Sequence, residues 1–174
     1  MSNTYLDPYD SEREPHSARA ETGSIVDMDD RSAWSYGQRL LAEWFEAHET
    51  EGLVPPDTPI DLLGPVLGYV HKLAYDRDEN DFRYLIYGRS IAKKSNMGGD
   101  GTRVSDLIEP TRSVFLEHYR ALVANPRLSV GRLTYQGTNV PNNEWIRAVA
   151  PLGRPGDGVT HFIVFTETVQ DARF

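Results

Sequence analysis

Cysteine is absent from the 174 residues. That removes disulfides, thiolate ligation of zinc or iron–sulfur clusters, thiolate catalysis and any chromophore bonded to a thiol. Positive charge is also scarce. The 18 Lys and Arg face 26 Asp and Glu, a formal charge of −8, which disfavours a groove that must displace counterions from nucleic-acid phosphates. No apolar run nears the roughly 18 residues of a membrane span, and the start of the chain lacks a basic-then-apolar signal pattern. A cytoplasmic protein with neither nucleic-acid nor membrane partners is expected. With 39% apolar residues and a mean hydropathy of −0.51, the chain suits one domain, which at this size buries roughly 70% of its unfolded surface.

Residues 1–33 hold eight acidic and three basic side chains, a net −5. Their apolar residues are scattered, so they bury too little to offset their conformational entropy. They read as a mobile acidic arm, with docking of Ile25, Val26 and Met28 on the domain as the alternative. Residues 34–60 come next as an amphipathic helix and a proline-rich linker, 61–170 as the main domain and 171–174 as a tail.

From Ser35 to Thr50, Leu40, Leu41, Trp44, Phe45 and His48 recur at helical spacing. Gly52, Pro55, Pro56 and Pro59 stop the helix, and Asp61 caps a short turn. Val66–Tyr75 and Asp81–Gly88 then alternate as strands around the charged turn DRDEN. Residues 89–113 read as loops, and Val114–Val123 as a helix ended by Asn125-Pro126. Leu128–Gln136, Glu144–Leu152 and Val159–Thr168 close the chain as a meander. The expected architecture is α+β, a five-stranded antiparallel sheet with helices on one face and an N-terminal amphipathic helix.

Chemistry-bearing motifs are sparse. The cluster Met97–Gly101 lacks the Lys-Ser/Thr of a phosphate loop and reads as a turn. His16, His48, His71, His118 and His161 show no metal-ligand spacing, so no metal site is expected. Asp76, Asp78 and Asp81 surround a solvated turn, Asp106 caps another, and Glu144 and Glu167 are expected at the surface. No catalytic residue is assigned. The aromatics Tyr84, Tyr87, Phe115, Tyr119, Tyr135, Trp145, Phe162 and Phe165 fall on elements facing a sheet–helix cavity. They fill a core, line a ligand site, or do both.

The stretches LLAEWFEA…EGLVPPDTPIDLLGPVLGYV, DFRYLIYGRSIAKKSNMGGDGTRVSDL, FLEHYRALVANP and NNEWIRAVAPLG, with a final strand, resemble the PAS fold. More narrowly, they are similar to stand-alone PAS proteins common in alphaproteobacteria, over roughly residues 36–170. The resemblance implies a sensory and signalling module, homodimeric through the helix before the sheet. Since one domain accounts for the chain, output is expected in trans through an unidentified signalling protein.

Ligand-pocket candidates are Tyr84, Tyr87, Phe115, His118, Tyr119, Tyr135, Trp145 and Phe165. Dimer-interface candidates are Leu40, Leu41, Trp44 and Phe45, whose stripe would otherwise lie as a lid on its own sheet. The cofactor is unknown. Resemblance to haem-binding PAS proteins makes His118 a possible axial ligand, against a reading as a hydrogen-bonded core-edge histidine. Two rivals stand beside sensing. One is a cone-shaped pocket enzyme of isomerase or dehydratase type, using His118, Tyr84 or Tyr135. The other is a ligand-free interaction module recruiting a basic partner.

Overall fold

The computed structural model describes residues 22–95, 98–137 and 143–174. Most of the acidic arm (1–21, with His16), Met97 of the glycine cluster and the centre of the 137–143 turn lie outside the described residues. The strands are β1 (Thr22–Asp27), β2 (Val70–Asp76), β3 (Asp81–Ile86), β4 (Ser129–Gln136), β5 (Glu144–Arg154) and β6 (Gly158–Thr168). The helices are α1 (Tyr36–His48), α2 (Arg89–Ser95) and α3 (Thr111–Ala124), with 3-10 segments at Arg31–Ala33, Asp61–Tyr69 and Val104–Asp106.

The class is α+β, with one antiparallel sheet in the order β1-β4-β5-β6-β2-β3. Six strands stand where five were expected. The sixth, β1, lies in the stretch read as a mobile arm and pairs with β4 from Thr22↔Gln136 to Asp27↔Gly131. Its side chains are mostly exposed, so main-chain hydrogen bonds rather than burial hold it. Residues 22–33 therefore belong to the folded body. The close approach explains Gly131, where a Cβ would lie 2.8 Å from the Val26 carbonyl oxygen.

α2 and α3 lie on one face of the sheet, and the N-terminal amphipathic helix α1 covers the other. Along β5, Ile146, Ala148, Ala150 and Leu152 pack toward α1, while Trp145 and Val149 pack toward α3. This is the two-residue alternation of a strand buried on both faces.

Ser35 caps α1, accepting from the Gln38 amide while the Gln38 side chain accepts from the Ser35 amide. Leu41 and Trp44 are 0% exposed, and Leu40 and Phe45 are buried with them. The stripe read as a dimer seam is thus the inner face of a lid on its own sheet. Leu40, Leu41, Trp44 and Phe45 are covered within one chain rather than forming a dimer seam. Fit is tight: a Cβ at Gly37 would lie 2.2 Å from the Phe165 ring.

Further boundaries differ. Val66–Tyr69 belongs to the 3-10 segment that begins at Asp61 and contains Pro65, so the strand starts at Val70. The 89–113 stretch contains α2 and a 3-10 turn, and α3 begins three residues early. Asp81, expected in solvent, is buried and accepts from the Phe82 amide and from Ser105, tying β3 to the Val104–Asp106 turn. Glu167, expected at the surface, is 8% exposed, in a crevice with Tyr36, Tyr69 and Arg173. No helix among the described residues is long and apolar enough to cross a membrane.

Candidate functional site

On the face away from α1, a cavity of about 30 Å³ lies among β2–β6, α2 and α3. That is room for roughly two water molecules. β2 supplies His71, β3 Tyr84, α2 Ile91, α3 Phe115, β4 Leu133 and Tyr135, β5 Trp145 and Arg147, and β6 Thr166. Tyr87 and Leu107 complete the lining.

Of the eight pocket candidates, Tyr84, Tyr87, Phe115, Tyr135 and Trp145 line this cavity. Tyr119 is fully buried behind it. The other two stand elsewhere. Phe165 packs in the α1 cluster, because it lies three residues from Phe162 and an odd separation on a strand puts two side chains on opposite faces. His118 lies on the opposite flank of α3, in a surface groove with Gly23, Ser24 and Ile25 of β1.

Arg147 is the centre of the site. Its side chain is only 3% exposed, and no carboxylate lines the cavity among the described residues. The guanidinium sits 4.3 Å from the centre of the Phe115 ring, a cation–π contact that offsets part of its desolvation. One terminal nitrogen, Nη2, donates to the Tyr119 hydroxyl at 2.7 Å. The Nε–H has no hydrogen-bond partner. A buried charge without a counter-ion is costly unless something else meets it.

The surrounding groups are neutral donors. His71 Nδ1 accepts from the Gly88 amide at 3.0 Å, which leaves the hydrogen of a neutral ring on Nε2. Burial, reinforced by the charge of Arg147, lowers His71 to about 3. Burial likewise raises the Tyr84 hydroxyl well above its ordinary value and the Tyr135 hydroxyl to about 12. The cavity wall therefore carries one positive charge and hydroxyl and imidazole donors that stay protonated.

The Arg147 cavity and α1 are joined through the sheet. Gln38 Nε2 donates to the carbonyl oxygens of Arg147 at 3.0 Å and Gly131 at 3.2 Å. A buried side chain of α1 thus holds the backbone of the residue whose guanidinium lines the other face.

The residues present do not fit a haem. His118 Nε2 faces Ser129 Oγ at 3.2 Å, its groove lies at the surface against β1, and the space near Arg147 is far below macrocycle size. Among the described residues, no three His, Asp or Glu side chains converge to hold a metal ion.

Sequence patterning passes over Arg147 and His71. The signal for Arg147 is nonetheless present: it is the lone charge within the apolar strand run WIRAVAPL, and parity places it beside Trp145. Comparison of the chain with protein-family models, curated proteins and solved structures gave no match.

Proposed function

We propose that the chain is a non-enzymatic sensory module of PAS type. In this reading a small ligand meets Arg147 in the aromatic cavity, and its presence is passed through the sheet to α1 and on to a partner protein in trans. The observation that carries it is the buried guanidinium with an unsatisfied Nε–H. A core built only for stability gains nothing from such a group, because an apolar side chain of similar volume is as good or better.

Three features support the reading. Two strands, a helical excursion and a three-strand meander, all in one antiparallel sheet, match the order that motivates the PAS resemblance. The cavity lies between that excursion and the sheet. Gln38 gives a ligand a route to α1, since a ligand shifts an equilibrium only through contacts that differ between two states. The enzyme reading is weaker here: among the described residues the lining has no carboxylate, and an imidazole at about 3 is a poor proton acceptor near neutral pH.

Amide hydrogen exchange tests the reading. Arg147→Met should change protection of the first turns of α1 relative to β6, and a second change, Gln38→Met, should erase that difference. Exchange in α1 that ignores residue 147 overturns the proposal.

A further inference from the structure

We infer that the cavity takes a small planar monoanion, a carboxylate or inorganic oxyanion of formate or nitrate size, held by the Arg147 guanidinium. This rests on the sensory reading above and names its ligand class. Size sets the first limit. About 30 Å³ admits a pair of waters or their equivalent, and ligand sites for larger organic molecules run to roughly 300–1,000 Å³.

Charge sets the second limit. Among the described residues the wall holds one buried cation and no carboxylate, while His71 accepts the Gly88 amide on Nδ1 and so presents a neutral Nε2–H. One negative charge balances the site. A dianion would leave an excess charge buried, at the desolvation cost that burial without a partner always carries.

Shape sets the third. A guanidinium is a planar fork that matches oxyanions edge to edge, and Arg147 has its Nε–H without a partner while Nη2 is held in place by Tyr119. The Phe115 ring, its centre 4.3 Å from the guanidinium carbon, supports that fork from one side. Arg147 lines the cavity, so a planar anion seated there would lie against this fork, with the unpartnered Nε–H as an open donor. Tyr84 and His71 line the same cavity and bring further donors to complete its coordination.

The experiment uses the full chain, titrated with sodium formate and sodium nitrate at constant ionic strength, with sodium sulfate as the dianion control. Melting temperature should rise with the logarithm of formate or nitrate concentration, as ligand linkage requires, whereas sulfate, which stabilises proteins generally by exclusion from their surface, should leave the Arg147 Nε–H resonance unmoved. In the unsubstituted protein, the Nε–H resonance of Arg147 should shift saturably with the same midpoint. Arg147→Met should weaken binding by about 30-fold or more, the loss of a buried charge-assisted pair.

Absence of any formate or nitrate effect on the Arg147 Nε–H resonance overturns the inference, and so does an equal thermal response in Arg147→Met. The two arms of the resonance experiment separate a carboxylate ligand from an inorganic one. Saturable binding that leaves α1 exchange unchanged keeps the anion site and removes the signalling role, so the two proposals fail separately.

Discussion

The side-chain amide of Gln38 lies 3.0 Å from the carbonyl oxygen of Arg147. One residue of the sheet is therefore gripped on its backbone from the α1 side while its charge stands in the cavity on the other. Replacing Gln38 removes the partner of two strand carbonyls and of the Ser35 amide. Gln38→Ala should lower stability by about 1–3 kcal/mol, the cost of stranding buried polar groups. Urea unfolding measures it, and a change within experimental error would mean that water takes over the grip.

Arg147→Met separates a structural from a binding role. In buffer free of small anions the variant should be as stable as the unsubstituted protein, or more so, because uncompensated buried charge is being removed. A loss above about 3 kcal/mol in denaturant melts would mark Arg147 as structural, since only the removal of a satisfied buried partner costs that much.

Glu167 and two histidines, buried His71 and half-buried His118, shape the response to pH in opposite senses. Burial, with Asp171 adding to it and Arg173 opposing, raises the Glu167 carboxyl to about 7. Its contribution to stability is full below the ordinary value of 4.5 and is lost as pH rises to about 7. His71 and His118 are lowered to about 3 and 4, both chiefly by burial and then by the charge of Arg147. Their contribution is full above the ordinary 6.5 and is lost as pH falls. Between pH 4.5 and 6.5 these two imidazoles, joined by His161, which burial and then Lys72 also lower, outweigh one carboxyl, so stability should rise with pH. Glu167→Gln should steepen that rise. An unaltered slope in unfolding midpoints across this range would place the Glu167 carboxyl at its ordinary value in the fold.

A chain beginning at Ser35 loses β1, the 3-10 turn at Arg31–Ala33 and Trp34. Trp34 Nε1 donates to the Met28 carbonyl at 2.8 Å, and the Met28 amide donates to the Val130 carbonyl at the same distance. Their removal uncovers the outer edge of β4, a template for strand pairing between molecules. The truncated protein should melt at lower temperature and self-associate in sedimentation. A monodisperse truncation with the full melting temperature would show that β1 adds little.

Legibility in the sequence depends on how each element is held. The β4–β6 meander is readable because its residues alternate or run apolar between glycine-rich turns, and α1 because its stripe is broad. β1 is not, since TGSIVD pairs through its backbone and half-buries only Gly23 and Ile25, too short an alternation to read as a strand. The stripe of α1 shows that Trp44 is buried but cannot say against which molecule, a question only the sheet geometry answers. The aromatics of the cavity are visible as a set, whereas Phe165 is misassigned for want of strand parity. Arg147 is readable by the same parity, and His71 is not, because its role depends on the Gly88 amide across a bend in the chain.

Gly37 adds a last consequence. No side chain fits between this turn of α1 and the Phe165 ring. Gly37→Ala should therefore cost about 1–3 kcal/mol by overpacking, with Phe165→Leu restoring much of it in thermal melts. The same contact restricts how α1 moves. Turning about its own axis would swing Tyr36 or Gln38, each with a Cβ, into the slot that only a bare α-carbon fills. The helix is keyed against swivelling, and its freedom is to peel away from the sheet from one end.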